Sequence, residues 1–208
     1  MLKFDEQRLL GMLSILPVEL RTTFAAACTQ RLMPCYEAFA KKVFFNQETE
    51  QFWVPNTLKR LWKVLYEEQK LPNKEIPDLI KHTDELVPDG DQTWKVGELY
   101  AQDAVAALVY TLEVRLTGSL QNAIFCAQCP YDALDNYVIN KFSLDPVKDG
   151  EKTILAHPLI QQEFSRQLRD LEELHRALKG PNPKATIKKI HQRAILESLD
   201  FLVSCRFE

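Results

Sequence analysis

Glycine and proline are scarce in this 208-residue chain, with six and 11 copies; ordinary usage would give about 25 together. Turns are therefore few and the elements between them long. Excess positive charge is also absent. Twenty-six Lys and Arg stand against 29 Asp and Glu, a net charge of -3, so the basic footprint that phosphate neutralisation needs is missing and nucleic acid is not an expected partner. No apolar run approaches the ~18 residues of a membrane span. The most apolar stretch, 104–112, is closed by Asp103 and Glu113, so no membrane partner is expected either. The opening Met1-Leu2-Lys3-Phe4-Asp5-Glu6 lacks the charged-then-apolar pattern of a signal or transit peptide. Five cysteines, an odd number in a chain long enough to bury a core, do not suit an extracellular disulfide framework. A reducing cytoplasm is the expected compartment. There is no Gly-rich phosphate loop, no Gly-x-Ser-x-Gly elbow and no His-Glu-x-x-His helix. No catalytic residue, metal ligand set or cofactor is assigned.

What is present is helical periodicity. With 46 % hydrophobic and 26 % charged residues the composition is that of a globular protein. Asp5 is placed to cap a short first helix in which Leu9, Leu10, Leu13 and Leu16 recur at helical spacing. Pro17 opens a second helix carrying Leu20, Phe24, Ala27, Cys28 and Leu32, and Pro34 is expected to kink or break it. A strong amphipathic run starting at Pro55 or Thr57 turns Leu58, Leu61, Trp62 and Leu65 inward. A weaker helix covers 77–86, and Pro88-Asp89-Gly90-Asp91 reads as a turn. Over 97–117 nearly every side is apolar, as in a helix surrounded by others. Gly118 suits a left-handed end to that helix, and Ser119 suits the cap of the next, which Pro130 should break. Residues 143–152 read as a loop. Pro158 opens a long amphipathic helix that Gly180-Pro181 stops, and a last helix follows through Ile187, Ile190, Ile195, Leu199 and Leu202. No alternating run supports a strand. The expectation is one all-α domain over 1–208, a bundle of seven to nine helices around the central apolar helix 97–117.

Four constellations invite chemistry. Cys126-Ala127-Gln128-Cys129 has the spacing of a redox pair or half a zinc site. Neither a βαβ context nor two further ligands accompany it, so buried core thiols are the preferred reading. Glu172-Glu173-Leu174-His175 contains one Glu-x-x-His, and di-iron bundles need two plus further glutamates; a solvated helix face is preferred. The run Lys184-Ala185-Thr186-Ile187-Lys188-Lys189, with His191 and Arg193, is read as a face in water. Asp103 opens the most apolar helix, in line with Ala107 and Tyr110. A carboxylate there is either paired, by a tyrosine, by an arginine such as Arg31 or Arg115 or by the N-terminus of another helix, or shifted in pKa.

Phe24, Ala26, Arg31, Pro34, Tyr36 and Phe39, spaced Phe-x-Ala-x4-Arg-x2-Pro-x-Tyr-x2-Phe, resemble the N-terminal signature of the YjaG-like family. Later blocks resemble it in the same order: Leu58, Leu61 and Trp62; Asp103-Ala104 with Ala107-Leu108; Arg115-Leu116-Thr117-Gly118; and His157-Pro158 with Glu163 and Gln167. The resemblance covers roughly residues 24–178. The family's Ser-Asn-Ile-Gly type ending is replaced here by Glu197-Ser198-Leu199-Asp200-Phe201, so properties of that ending do not carry over. The resemblance implies a cytoplasmic bacterial helical protein of no established activity, with links to histidine-kinase signalling or toxin immunity as functional expectations.

The leading functional expectation is a non-catalytic helical module that binds another protein. It predicts an exposed apolar patch in the region of Trp53 and Trp62. The competing expectation is a small-ligand sensor or enzyme with a pocket lined by Arg31, Tyr36, Tyr100 and Asp103. Redox sensing through Cys126 and Cys129 is a third, and the sequence leaves open whether the chain forms a homo-oligomer.

Overall fold

The computed structural model describes residues 1–67, 69–87, 96–145 and 150–204. Among these the chain forms nine α-helices and no strand: α1 (Glu6–Ser14), α2 (Val18–Val43), α3 (Glu48–Tyr66), α4 (Ile76–Asp84), α5 (Val96–Thr117), α6 (Leu120–Phe142), α7 (Glu151–Leu155), α8 (Pro158–Leu178) and α9 (Pro183–Ser204), with a 3-10 turn, Asn73–Glu75, before α4. The all-α class and helix count agree with the periodicity. The expected turn at Pro88–Asp91 lies outside the described residues, as does the middle of the 143–152 loop. No described helix is long and apolar enough to cross a membrane.

Local signals place most ends. Asp5 accepts the Arg8 amide to start α1. Gly118 adopts φ +72° after α5, where a Cβ would meet Val18 Cγ2 at 3.1 Å, and the Ser119 hydroxyl accepts the Asn122 amide to start α6. Arg21 fastens this corner. Its guanidinium donates to the carbonyls of Leu13 (3.0 Å), Ser14 (3.2 Å) and Gly118 (2.7 Å).

The helix breaks expected at Pro130, and as one of two outcomes at Pro34, do not occur. α2 runs through Pro34 and α6 through Pro130, and α3 begins at Glu48 with Pro55 inside it. A proline in a helix interior costs roughly 3 kcal/mol. Leu32, Met33, Cys35 and Tyr36 on either side of Pro34 are all buried, and burying one such side chain contributes about 1.5–3 kcal/mol, so packing outweighs the defect.

The centre is a helix pair. α5 packs against α2, α3, α4 and α6, while α2 packs against α3, α5, α6, α8 and α9. Small residues allow the close approach: Ala25, Ala26 and Ala27 on α2, and Ala104 and Ala107 on α5, are wholly buried. At the seam the Thr29 hydroxyl lies 2.8 Å from that of Thr111 and 3.1 Å from the Ala107 carbonyl, to which the Thr111 hydroxyl donates. Buried side chains from all nine helices join one hydrophobic cluster.

Candidate functional site

Arg31 emerges from α2 where α8 and α9 cross it, and no part of its side chain reaches solvent. Its Nε and Nη2 contact Glu163 Oε1 at 3.1 and 3.0 Å, and its Nη1 contacts Asp170 Oδ2 at 2.9 Å and Glu197 Oε2 at 3.5 Å. Around this centre lies an outer ring. Arg193 reaches Asp170 Oδ1 (2.5 Å) and Glu173 Oε1 (2.7 Å), Lys189 reaches Glu173 Oε2 (3.4 Å), and Arg169 and Arg166 both face Glu197 Oε1. Gln167 completes it, donating to Glu163 Oε1 (2.9 Å) and to the Ala127 carbonyl of α6 (2.8 Å).

Burial opposes the charge of Arg31, but its carboxylate neighbours, Glu163 foremost, outweigh it and hold the guanidinium protonated beyond its ordinary range. For Glu163 the balance is opposite: burial raises its pKa although Arg31 and Gln167 pull it down, and its Oε2 has no hydrogen-bond partner. Cys28 lies beside Arg31, with Nη2 to Sγ at 3.4 Å, yet burial pushes its thiol well up. A protonated thiol is a poor nucleophile. The arrangement therefore offers charge pairing across three helices and no activated attacking group.

The four residues expected to share a pocket face several neighbours. Arg31 points at α8 and α9. Tyr36, five residues on, donates its hydroxyl to the Glu50 carbonyl of α3 at 2.9 Å, and burial raises it to about 12. Tyr100 is buried in the core. Asp103 faces α6, where burial first, and the Asp132 carboxylate second, raise it to about 7. Arg31 is thus not the partner of Asp103, because α8 and α9 engage its entire guanidinium.

Other sequence expectations meet different outcomes. Cys126 and Cys129 are buried free thiols raised well above their ordinary range by burial. Cys126 donates to the Ala107 carbonyl at 3.4 Å, as core thiols do. No group of residues able to hold a metal ion occurs among those described. The basic run of α9 is not simply a face in water. Its His191 stacks on Trp62 (4.3 Å, 19°) and hydrogen-bonds Tyr66 (3.0 Å), and burial lowers it to about 4. His175 is half-buried, its Nε2 2.7 Å from the Met12 carbonyl, while Glu172 of the same pattern is exposed.

The expected tryptophan patch is half present. Trp62 is wholly buried, its Nε1 donating to Gln30 Oε1 at 3.2 Å. Trp53 instead lines an open groove of about 460 Å³ between α3 and α4, with Glu48, Phe52, Asn56, Arg60 and Leu79. Phe52 is 49 % exposed. Trp53 Nε1 donates to Thr83 Oγ1 at 3.2 Å, which fixes the indole in the wall. Arg60 pairs with Glu75 at 2.5 Å, both about 40 % exposed.

A family model described as "Protein of unknown function (DUF416)" matches residues 11–198. The fold is similar to the crystal structure of a DUF416 family protein from Shewanella baltica OS155, at a TM-score of 0.69 and 21 % identity, over 89 % of this chain and 92 % of that one. No curated protein matches the chain.

Proposed function

From the premise that the chain belongs to the DUF416 family, which carries no functional description, we propose that it is a non-catalytic module that binds an amphipathic helix of another protein in the groove between α3 and α4. The observation that carries this reading is the composition of the groove wall. Glu48, Phe52, Trp53, Asn56 and Arg60 recur at helical spacing along one face of α3, a strip about 18 Å long at 1.5 Å per residue. An open strip of that length suits a helix laid in a groove better than an enclosed metabolite. Its apolar middle is flanked by an acid at one end and a base at the other. The complementary helix carries a base opposite Glu48 and apolar anchors opposite Phe52 and Trp53, while the Arg60 end, already paired with Glu75, calls for a neutral polar residue. Residence in a bacterial cytoplasm, the narrower likeness to YjaG-like proteins, and use in signalling or toxin immunity belong to this proposal as its setting.

The test is selection of helical 18-residue peptides on the intact chain, followed by affinity measurement on Phe52→Glu and, as a control at a remote exposed position, Phe142→Glu. The expected result is a loss of at least about tenfold with Phe52→Glu alone, the scale of one lost anchor. Equal binding to both variants, or selection of no groove-directed peptide, overturns the reading.

One observation favours a second reading. Asp103 holds its proton near neutrality, which suits a proton-exchanging or ligand-sensing group. Its test differs: a ligand of that site protects Cys129, one turn from Asp132 on α6, from thiol labelling in the denaturant-loosened state, and a groove peptide does not.

A further inference from the structure

A second concavity, independent of the α3–α4 groove, lies where the first five residues cross α8. That segment is held by a reciprocal pair: the Leu2 amide donates to Gln161 Oε1 (2.7 Å), and Gln161 Nε2 donates to the Leu2 carbonyl (2.8 Å). Phe4 locks it further, stacking on Tyr131 (5.8 Å) and meeting Phe164 at 6.4 Å. Beneath the segment is a cavity of about 200 Å³ whose apolar walls include Leu9, Phe164 and Leu168.

Gln167 is 2 % exposed and also lines this cavity. Its two amide protons are already used, on the Ala127 carbonyl and Glu163 Oε1. Turning the amide over would set oxygen against two acceptors, so its orientation is fixed. The carbonyl oxygen is the end of Gln167 left with hydrogen-bonding capacity, and it accepts. Lys3 and Arg8 also line the cavity, and neither forms an ion pair among the described residues. Asp5, between them, is engaged as the cap of α1.

We propose that this cavity is a binding site for a small hydroxy or amino carboxylic acid with an apolar body. The hydroxyl or amine donates to Gln167, the aliphatic or aromatic body lies on Phe164, Leu168 and Leu9, and the carboxylate faces Lys3 and Arg8. Each part of the ligand answers one unmatched feature of the cavity. An acid without the donor leaves the Gln167 carbonyl unmatched, and an alcohol without the acid forgoes the attraction of Lys3 and Arg8, which are exposed and stay hydrated.

Calorimetry on the intact chain with 3-hydroxyoctanoate, octanoate and 1-octanol tests the proposal. 3-Hydroxyoctanoate is expected to bind at least about fivefold more tightly than either, the scale of one satisfied hydrogen bond. The exposed double variant Lys3→Ala/Arg8→Ala should reduce the hydroxy acid to the affinity of the alcohol. Leu168→Trp, which fills the cavity, should abolish binding. Equal affinity for all three compounds, no binding by the native chain at 5 mM on the order of weak-ligand screening, or unchanged affinity in the double variant overturns the assignment. If Leu168→Trp does not fold, the surface double variant alone decides.

Discussion

Arg31 shows how a single residue can be noticed in a sequence while its role stays hidden. Its partners Glu163 and Asp170, with Gln167, which donates to Glu163, occupy the inward phase of α8, continuous with Ile160, Phe164, Leu171 and Leu174. That placement of polar residues in an apolar stripe was readable. Which helix supplied the countercharge was not, since Arg31 and Glu197 are 166 residues apart. Removing one partner from a buried ion set costs roughly 3–5 kcal/mol. Arg31→Met should therefore lose about that much in urea unfolding at pH 7.5, and adding Glu163→Gln should restore part of it. A loss under about 1 kcal/mol would mean that the carboxylates are held by the outer arginines instead. Asp103 was legible in its chemistry, since a carboxylate at the head of an apolar helix must be paired or shifted. Only its neighbour, Asp132, was not. Because its folded pKa of about 7 lies above the unfolded value of 3.8, the fold binds the extra proton and stability falls as pH rises from about 4 through 7. Asp103→Asn should then raise stability at pH 8 by roughly 2–4 kcal/mol and leave it unchanged below pH 4. Thermal melts at the two pH values check this, and an equal effect at both would refute the desolvation of Asp103.

At the scale of elements, capping and amphipathicity carried most of the information. Asp5, Gly118 and Ser119 mark ends by local chemistry that needs no tertiary context. α8 and the later turns of α3 show apolar stripes facing one way, and both were readable. Prolines misled because the penalty is local while the compensation is not: Pro34 and Pro130 sit among buried neighbours that reward an unbroken helix. The central place of α2 was hidden by its threonines. Thr22, Thr23 and Thr29 look polar, but each donates to the carbonyl four residues earlier, Val18, Glu19 and Ala25, and so enters the core satisfied. The same segment is rich in alanine, which gives little hydrophobic contrast yet permits the close contact with α5. Trp53 and Trp62 differ for a geometric reason. Nine residues, two and a half turns, separate them on α3, so one faces the groove and the other the core beside His191.

For the whole molecule, the question is whether α9 belongs to the same cooperative unit as the α2–α5 pair. It buries Ile187, Ile190 and Ala194 in the common cluster, but much of its remaining hold on α8 is ionic, through Arg193, Lys189 and Glu197. Of these only Lys189 is well exposed, and a pair such as Lys189–Glu173 contributes at most about 1 kcal/mol and is screened by salt, whereas Glu197 is buried and the pairs around Arg31 are shielded from solvent. One cluster running through nine helices predicts one transition. Native-state hydrogen exchange should accordingly give the amides of Ile190 and Ala194 the same opening free energy as those of Leu32 and Leu108, to within about 1 kcal/mol. Raising NaCl to 1 M should lower all four together and by no more than the outer ion pairs supply. An α9 that opens several kcal/mol below α2, with a gap that widens in salt, would instead make the C-terminal helix a separate unit docked by its charges, and the chain would then not be a single cooperative domain.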